Sequence, residues 1–172
     1  MTFSIDNQIA TLPRNYTTDI KWAVRTPMKI KQIVVHQALG TKTALDTARY
    51  HTSKECHVAP RKGLPSISYT FFIEPSGKII QCCDLTEVTW HVKNENTISL
   101  GICLGGFYNY GTTVCRDGDP PSVQIEALRW LLNYLIELLK LDKGSVYTHD
   151  ERQGKPACPG NSAAEFIKQF RS

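Results

Sequence analysis

The 172-residue sequence predicts a mixed α/β fold in one domain, with amphipathic helices covering a central β-sheet. Three observations carry this expectation. Ile33-Val34-Val35 is a β-branched run of strand length, Glu74-Pro75-Ser76-Gly77 is a turn between two apolar segments, and Ile125, Leu128, Leu132, Leu135 and Leu139 recur at helical spacing. The length suits one domain with a single sizeable core. With 41% apolar and 21% charged residues, the composition excludes a disordered chain.

In chain order, residues 1–29 are polar and mixed, with Trp22 and Val24 as clear anchors, and are expected to form an N-terminal leader packing across the domain. Residues 30–37 read as a buried central strand that ends on His36. Thr43 to roughly His57 reads as a helix, with Thr43 as N-cap and Asp46 three residues on. His51 and His57 are expected there as surface or interface side chains. Residues 67–73 and 78–82 form a hairpin around the Pro75/Gly77 turn, and Thr97–Leu104 forms another strand. Gly105-Gly106 lacks the full glycine pattern of a dinucleotide loop. Pro120 to about Lys140 is the longest helix, whose stripe is core. Ser162-Ala163-Ala164-Glu165 matches a capping box opening a short terminal helix through Phe166, Ile167 and Phe170.

A formal charge of +4 and a pI near 8.7 favour anionic surfaces such as cell-wall polymers, but no Lys/Arg-rich run marks a nucleic-acid footprint. The six cysteines lack paired C-x-x-C spacing, so neither a disulfide scaffold nor a closed structural zinc site is expected. Asp6 and Arg14 interrupt the first twenty residues, and no apolar run reaches the ~18 residues of a membrane span. Synthesis in the cytoplasm without a signal peptide, no stable membrane insertion and a monomer are the expectations.

The chemistry concentrates in Tyr147–Gly160. His149 and Cys158, nine positions apart, offer an imidazole and a thiolate to one metal, and Gly154, Pro156, Pro159 and Gly160 would hold the loop in one shape. The best third donor is His36, at the end of its strand. Three protein ligands leave a tetrahedral Zn²⁺ with an open position, the mark of a catalytic rather than a structural site. The bland alternative makes Cys158 a small buried hydrophobe and the two histidines satisfied polar groups.

Taken together, Ile33-Val34-Val35-His36, Ser68–Ile73 with the Ser76-Gly77 turn, Trp90-His91, Ser99–Gly106 and His149 through Lys155-Pro156-Ala157-Cys158-Pro159-Gly160 resemble the zinc-dependent N-acetylmuramoyl-L-alanine amidases, which include phage amidase-type lysozymes and peptidoglycan-recognition proteins. The resemblance spans about residues 30–170, making 30–172 the amidase domain. It implies a central mixed β-sheet flanked by helices, with zinc in a surface groove held by His36, His149 and Cys158. It further implies Tyr69 and Lys155 as catalytic side chains and His91 as a substrate contact at the cleft. A tyrosine hydroxyl beside zinc would orient water or pass a proton, and a lysine ammonium would stabilise an oxyanion. Where some relatives carry a glutamate, this chain has Cys103, which favours the tyrosine/lysine branch.

The implied reaction is hydrolysis of the amide joining the lactyl group of N-acetylmuramic acid to L-alanine in peptidoglycan or muropeptides, by a phage endolysin acting on the bacterial wall. A non-catalytic peptidoglycan-binding module and a delivered antibacterial amidase toxin are the alternatives. A cysteine hydrolase using Cys158 and His149 would leave His36 and Lys155 unused.

Overall fold

The computed structural model describes residues 2–172. Its main sheet has six strands: β1 (Ile5–Asn7), β3 (Gln32–Gln37), β4 (Phe71–Ile73), β5 (Ile79–Gln81), β7 (Ser99–Leu104) and β8 (Val146–Thr148), in the order β1-β5-β4-β7-β3-β8. β2 (Ala23–Val24) and β6 (Glu87–Val88) form a separate antiparallel pair. Four helices, α1 (Ala44–Thr52), α2 (Ser122–Leu139), α3 (His149–Gln153) and α4 (Asn161–Arg171), complete a single mixed α/β domain. Residues 5–7 of the N-terminal segment supply the edge strand β1, parallel to β5.

Expected at the centre, β3 is the fifth of six strands, one in from the edge; it is still buried along all six residues, as its continuous apolar run requires when both sheet faces are covered. It runs parallel to β7 on one side and β8 on the other. β4 is parallel to β7 and antiparallel to β5, closing the expected hairpin, where Gly77 N–H donates to the Glu74 carbonyl at 2.9 Å.

Alternation along the strands divides the core unequally. Ile33, Val35, Leu100, Ile102 and Leu104 point to one face, packed against Leu128, Leu131, Leu132 and Leu135 of α2 and Phe166, Ile167 and Phe170 of α4. The other face presents Phe72, Ile80, Cys82 and Cys103 to Ala44 and Ala48 of the short helix α1. His36 pairs in register with Cys103, which pairs in turn with Phe72, so the three share this second, thinly covered face.

The predicted stripe of α2 holds in depth: Leu128, Leu132 and Leu135 are buried, with Ile125 and Leu139 partly so. α1 opens at Thr43 as expected, its hydroxyl accepting from Asp46 N–H, but ends at Thr52 rather than near His57. Beyond it the chain turns so that Cys56, Ala59 and Leu64 bury beside Trp22. α4 begins at Asn161, and Ser162 does not cap it. The Asn109 carbonyl takes the Asn161 N–H at 2.7 Å, while the Ser162 hydroxyl donates to Asp119 at 2.8 Å. Among the described residues no helix is long and apolar enough to cross a membrane.

Because Leu132 lies fully buried against the sheet while Leu138 on the same helix is half exposed, Leu132→Ala should cost about 2–5 kcal/mol of folding free energy. Leu138→Ala should stay within about 1 kcal/mol. Urea unfolding of the two variants checks the difference, and equal losses would contradict the packing described.

Candidate metal centre and its groove

Three side chains converge beyond the C-terminal ends of β3 and β8. β3 delivers His36 one residue before its end, and β8 stops at Thr148, paired with Val35, so that His149 opens α3 beside it. The α3 turn is fixed by a capping box: Thr148 Oγ1 accepts the Glu151 N–H at 3.0 Å, and Glu151 Oε2 accepts the Thr148 N–H at 2.7 Å. The Thr148-x-x-Glu151 spacing is itself a capping-box signature legible in the sequence, and the structure forms it here rather than at Ser162. Gly154 ends α3 in the left-handed conformation that glycine adopts without a Cβ penalty, and the chain doubles back. Asp150 N–H then donates to the Cys158 carbonyl at 3.0 Å, and Cys158 N–H to the Lys155 carbonyl at 2.8 Å, closing the loop that the nine-residue spacing foreshadowed.

The donor atoms of His36, His149 and Cys158 all lie within 4.8 Å of one another, with Cys158 Sγ 3.7 Å from His36 Nδ1. Each donor residue has an outer partner. Gln37 N–H donates to Cys158 Sγ at 3.3 Å, His149 Nε2 meets Gln153 Oε1 at 3.2 Å, and His36 Nε2 meets His91 Nδ1 at 3.1 Å. Gln153 is anchored in turn by donating to the Lys93 carbonyl at 2.7 Å.

Burial, and then the neighbouring imidazoles of His91 and His149, hold His36 well below the usual imidazole range. Burial also lowers His149 and pushes the Cys158 thiol up to about 12, against the opposing Gln37 N–H. Two neutral imidazoles and a buried thiol, with no carboxylate among the described groove-lining residues, form a donor set suited to a divalent cation of borderline softness. Such a cation supplies the positive charge that a buried thiolate otherwise lacks. The residues present fit Zn²⁺.

A groove of about 770 Å³ opens onto these three donors. Tyr69 lines it from the residues just before β4, its ring 5.2 Å from that of His36 and its side chain beside the Cys103 thiol. Burial lifts the Tyr69 hydroxyl well above its ordinary pKa, leaving it a neutral donor. Lys155 is exposed on the rim, where its charge acts on His149. Tyr69 and Lys155 are therefore both brought to the groove that holds the metal-ligand set.

His91 is not. Expected at the cleft, it lies buried behind His36 and lines no part of the groove, because a turn held by Asn96 lays its ring against β7 at Gly101. His51 moves the opposite way: expected at the surface, it is buried and lines the groove, its Nδ1 accepting the Ser68 N–H at 3.1 Å. Its spacing from Ala44 and Ala48 on the inner stripe of α1 was the available signal. Gln37, which no motif marked, also lines the groove and fixes the Cys158 loop.

An α/β domain with a two-histidine, one-cysteine donor set at the open ends of its parallel strands is the class that fold and site define. A family model described as N-acetylmuramoyl-L-alanine amidase matches residues 26–161, and the chain belongs to that family. Peptidoglycan-recognition protein SC1a/b of Drosophila simulans is 24% identical over 142 residues, covering 81% of this chain and 73% of that protein. Among solved structures, the fold is similar to the Ph2119 endolysin from a Thermus scotoductus bacteriophage (TM-score 0.70, 19% identity, covering 98% and 99% of the two chains). It is also similar to the amidase LysC from Clostridium intestinale (0.65, 21%, 98% and 97%) and to Drosophila peptidoglycan recognition protein SD (0.72, 18%, 98% and 95%).

Burial depresses the folded-state pKa of His51 to about 4, against 6.5 for a free imidazole. The unfolded chain thus binds the extra proton first as pH falls. The stability that neutral His51 supports is full above about pH 6.5 and drains away towards pH 4, at about 1.4 kcal/mol per unit and about 3 kcal/mol in all. His51→Asn, which keeps an acceptor for Ser68 N–H, should flatten urea-unfolding stability against pH across this window. An unchanged slope would show that His51 does not titrate with folding.

Proposed function

We propose that this chain is a zinc-dependent peptidoglycan amidase that hydrolyses the bond between the lactyl carbonyl of N-acetylmuramic acid and the nitrogen of L-alanine, in the manner of a phage endolysin. The observation that carries the reading is the convergence of His36, His149 and Cys158 at the floor of a groove whose wall bears Tyr69 and Lys155. Two proteins of similar fold, LysCS of Clostridium intestinale and the Ph2119 protein, are named endolysins, which favours the endolysin role.

Zinc bound by the three donors supplies Lewis acidity towards the scissile carbonyl and the attacking water. The protein residues do the rest. The groove receives the muropeptide with its lactyl amide over the donor set. Tyr69, a neutral hydroxyl held beside His36, orients the attacking water and relays a proton to the departing nitrogen. Lys155 brings its ammonium from the rim to the oxyanion that forms as water adds to the carbonyl carbon. When the carbon–nitrogen bond breaks, the products are a lactyl carboxylate and a stem peptide with a free amino terminus. The substrate partner is peptidoglycan or its fragments, the site of action is the bacterial wall, and the protein works as a monomer without nucleic acid.

Purified protein should carry about one zinc per chain, and Cys158→Ser should lose both metal and activity, since a neutral hydroxyl is a far poorer ligand than thiolate. Metal analysis of chelator-free protein at well under half an equivalent would refute the zinc assignment. Activity that resists chelators but succumbs to thiol alkylation would instead make Cys158 a nucleophile.

Tyr69→Phe and Lys155→Ala should each retain zinc yet lower kcat by roughly a hundredfold with little change in KM, the pattern of interactions made mainly in the transition state. Mass analysis of products from defined muropeptides reads this directly. Wild-type protein that binds cell wall and releases no stem peptide would be a recognition module instead.

A further inference from the structure

Four of the five histidines line the groove, and His91 does not. It sits one layer deeper, with Nδ1 3.1 Å from His36 Nε2 and the two rings edge to face at 85°. The surrounding chain is shaped to hold it there. Asn96 Oδ1 accepts the N–H groups of both His91 and Val92, at 2.9 and 2.8 Å, which pins the turn that carries the ring. The ring lies flat on β7 at Gly101, where a Cβ would come within 2.9 Å of His91 Cγ, so any larger residue in the middle of this strand would displace the imidazole.

His36 and His91 are both buried, and among the described residues no hydrogen bond joins either to a carboxylate. Between two neutral rings a single proton is shared, and its position decides which nitrogen of His36 is left as a donor. The nitrogen turned towards Cys158 Sγ is Nδ1. It holds a lone pair only if the proton of His36 is on Nε2.

We infer that His91 is a positioning residue for His36: its Nδ1 accepts the proton on His36 Nε2 and so fixes the tautomer that presents His36 Nδ1 to the metal. This rests on the zinc reading above. On the far side of the ring, His91 Nε2 is buried without a hydrogen-bond partner, so no donor there fixes His91 in the opposite tautomer. Arg25 is the competitor. It is buried, donates to the carbonyls of Leu85, Asn96, Thr97 and Ser99, and has Nη2 unpartnered. If Arg25 donated to His91 Nε2, the shared proton would belong to His91, and His36 would carry its own on Nδ1, closed to metal.

Imidazole ¹⁵N shifts of the metal-free protein distinguish the two arrangements. The expected result is His36 protonated at Nε2 in wild type and in His91→Asn, whose Oδ1 replaces the acceptor, and a tautomer mixture in His91→Leu. Zinc affinity, read by competition with a chromophoric chelator, should fall about 10–100-fold in His91→Leu and stay within about threefold of wild type in His91→Asn. Wild-type His36 protonated at Nδ1 overturns the inference, and this reading needs no variant to fold. Wild type that takes up zinc while His91→Leu binds it equally well overturns the role of His91 and leaves the zinc reading intact. Wild type that takes up no zinc overturns both.

Discussion

Gln37, the last residue of β3, ties the site together through both its backbone and its side chain. Its N–H donates to Cys158 Sγ at 3.3 Å, its Nε2 donates to the Ala157 carbonyl, and its Oε1 accepts the Tyr108 N–H at 2.6 Å. Tyr108 in turn donates its hydroxyl to Gln124 in the first turns of α2, and Gln124 donates to the Ile73 carbonyl on β4. The loop with the thiol is thus joined to strand, helix and hairpin through buried bonds satisfied at both ends. Removing the Gln37 amide would leave the Ala157 carbonyl and Tyr108 N–H unpaired in the interior, each at about 1–3 kcal/mol, rather than forfeiting one bond.

The two faces of the sheet divide the labour. α2 and α4 cover one with long aliphatic and aromatic side chains, and this face supplies most of the buried apolar area. The other is covered by alanines of α1 and by cysteines, small groups that keep the layer thin enough for His36 to reach a groove. A row of Phe72, Cys103 and His36 runs from dry core to the metal-ligand set in three strands. Burial of His36 and Cys103 in that row, and of Tyr69 beside it, holds the imidazole, thiol and phenol in their neutral forms.

Much of this was legible in the sequence because it depends on local periodicity. The β-branched run of β3, the turn at Pro75 and Gly77, and the stripe of α2 each announce their element through spacing alone. The convergence of His36, His149 and Cys158 was legible for a related reason: imidazole and thiol side chains are scarce, and a Pro/Gly-framed loop restricts where they go. What escaped depended on tertiary choices. The end of α1 was set by burial of Cys56 and Leu64 beside Trp22, and the start of α4 by a carbonyl from Asn109, neither of which a local pattern encodes. His91 and His51 sit at depths other than those expected because depth on a sheet face is set by the neighbouring strands and helices. Gly101 alone hinted at it, since a glycine inside a strand implies that something approaches closely.

The placement of the donors along the chain has a consequence for synthesis. His36 and Cys158 are 122 positions apart, and the strand bearing one must pair with the strand leading to the other before their atoms meet. Contacts of such separation form late, after the loop between them has closed. A polypeptide cut short before position 158 carries at most two of the three donors, His36 and His149, and lacks the Cys158 thiol, so it cannot assemble the candidate metal centre. Any truncation that removes the last loop therefore removes the candidate centre with it, whatever remains of the sheet.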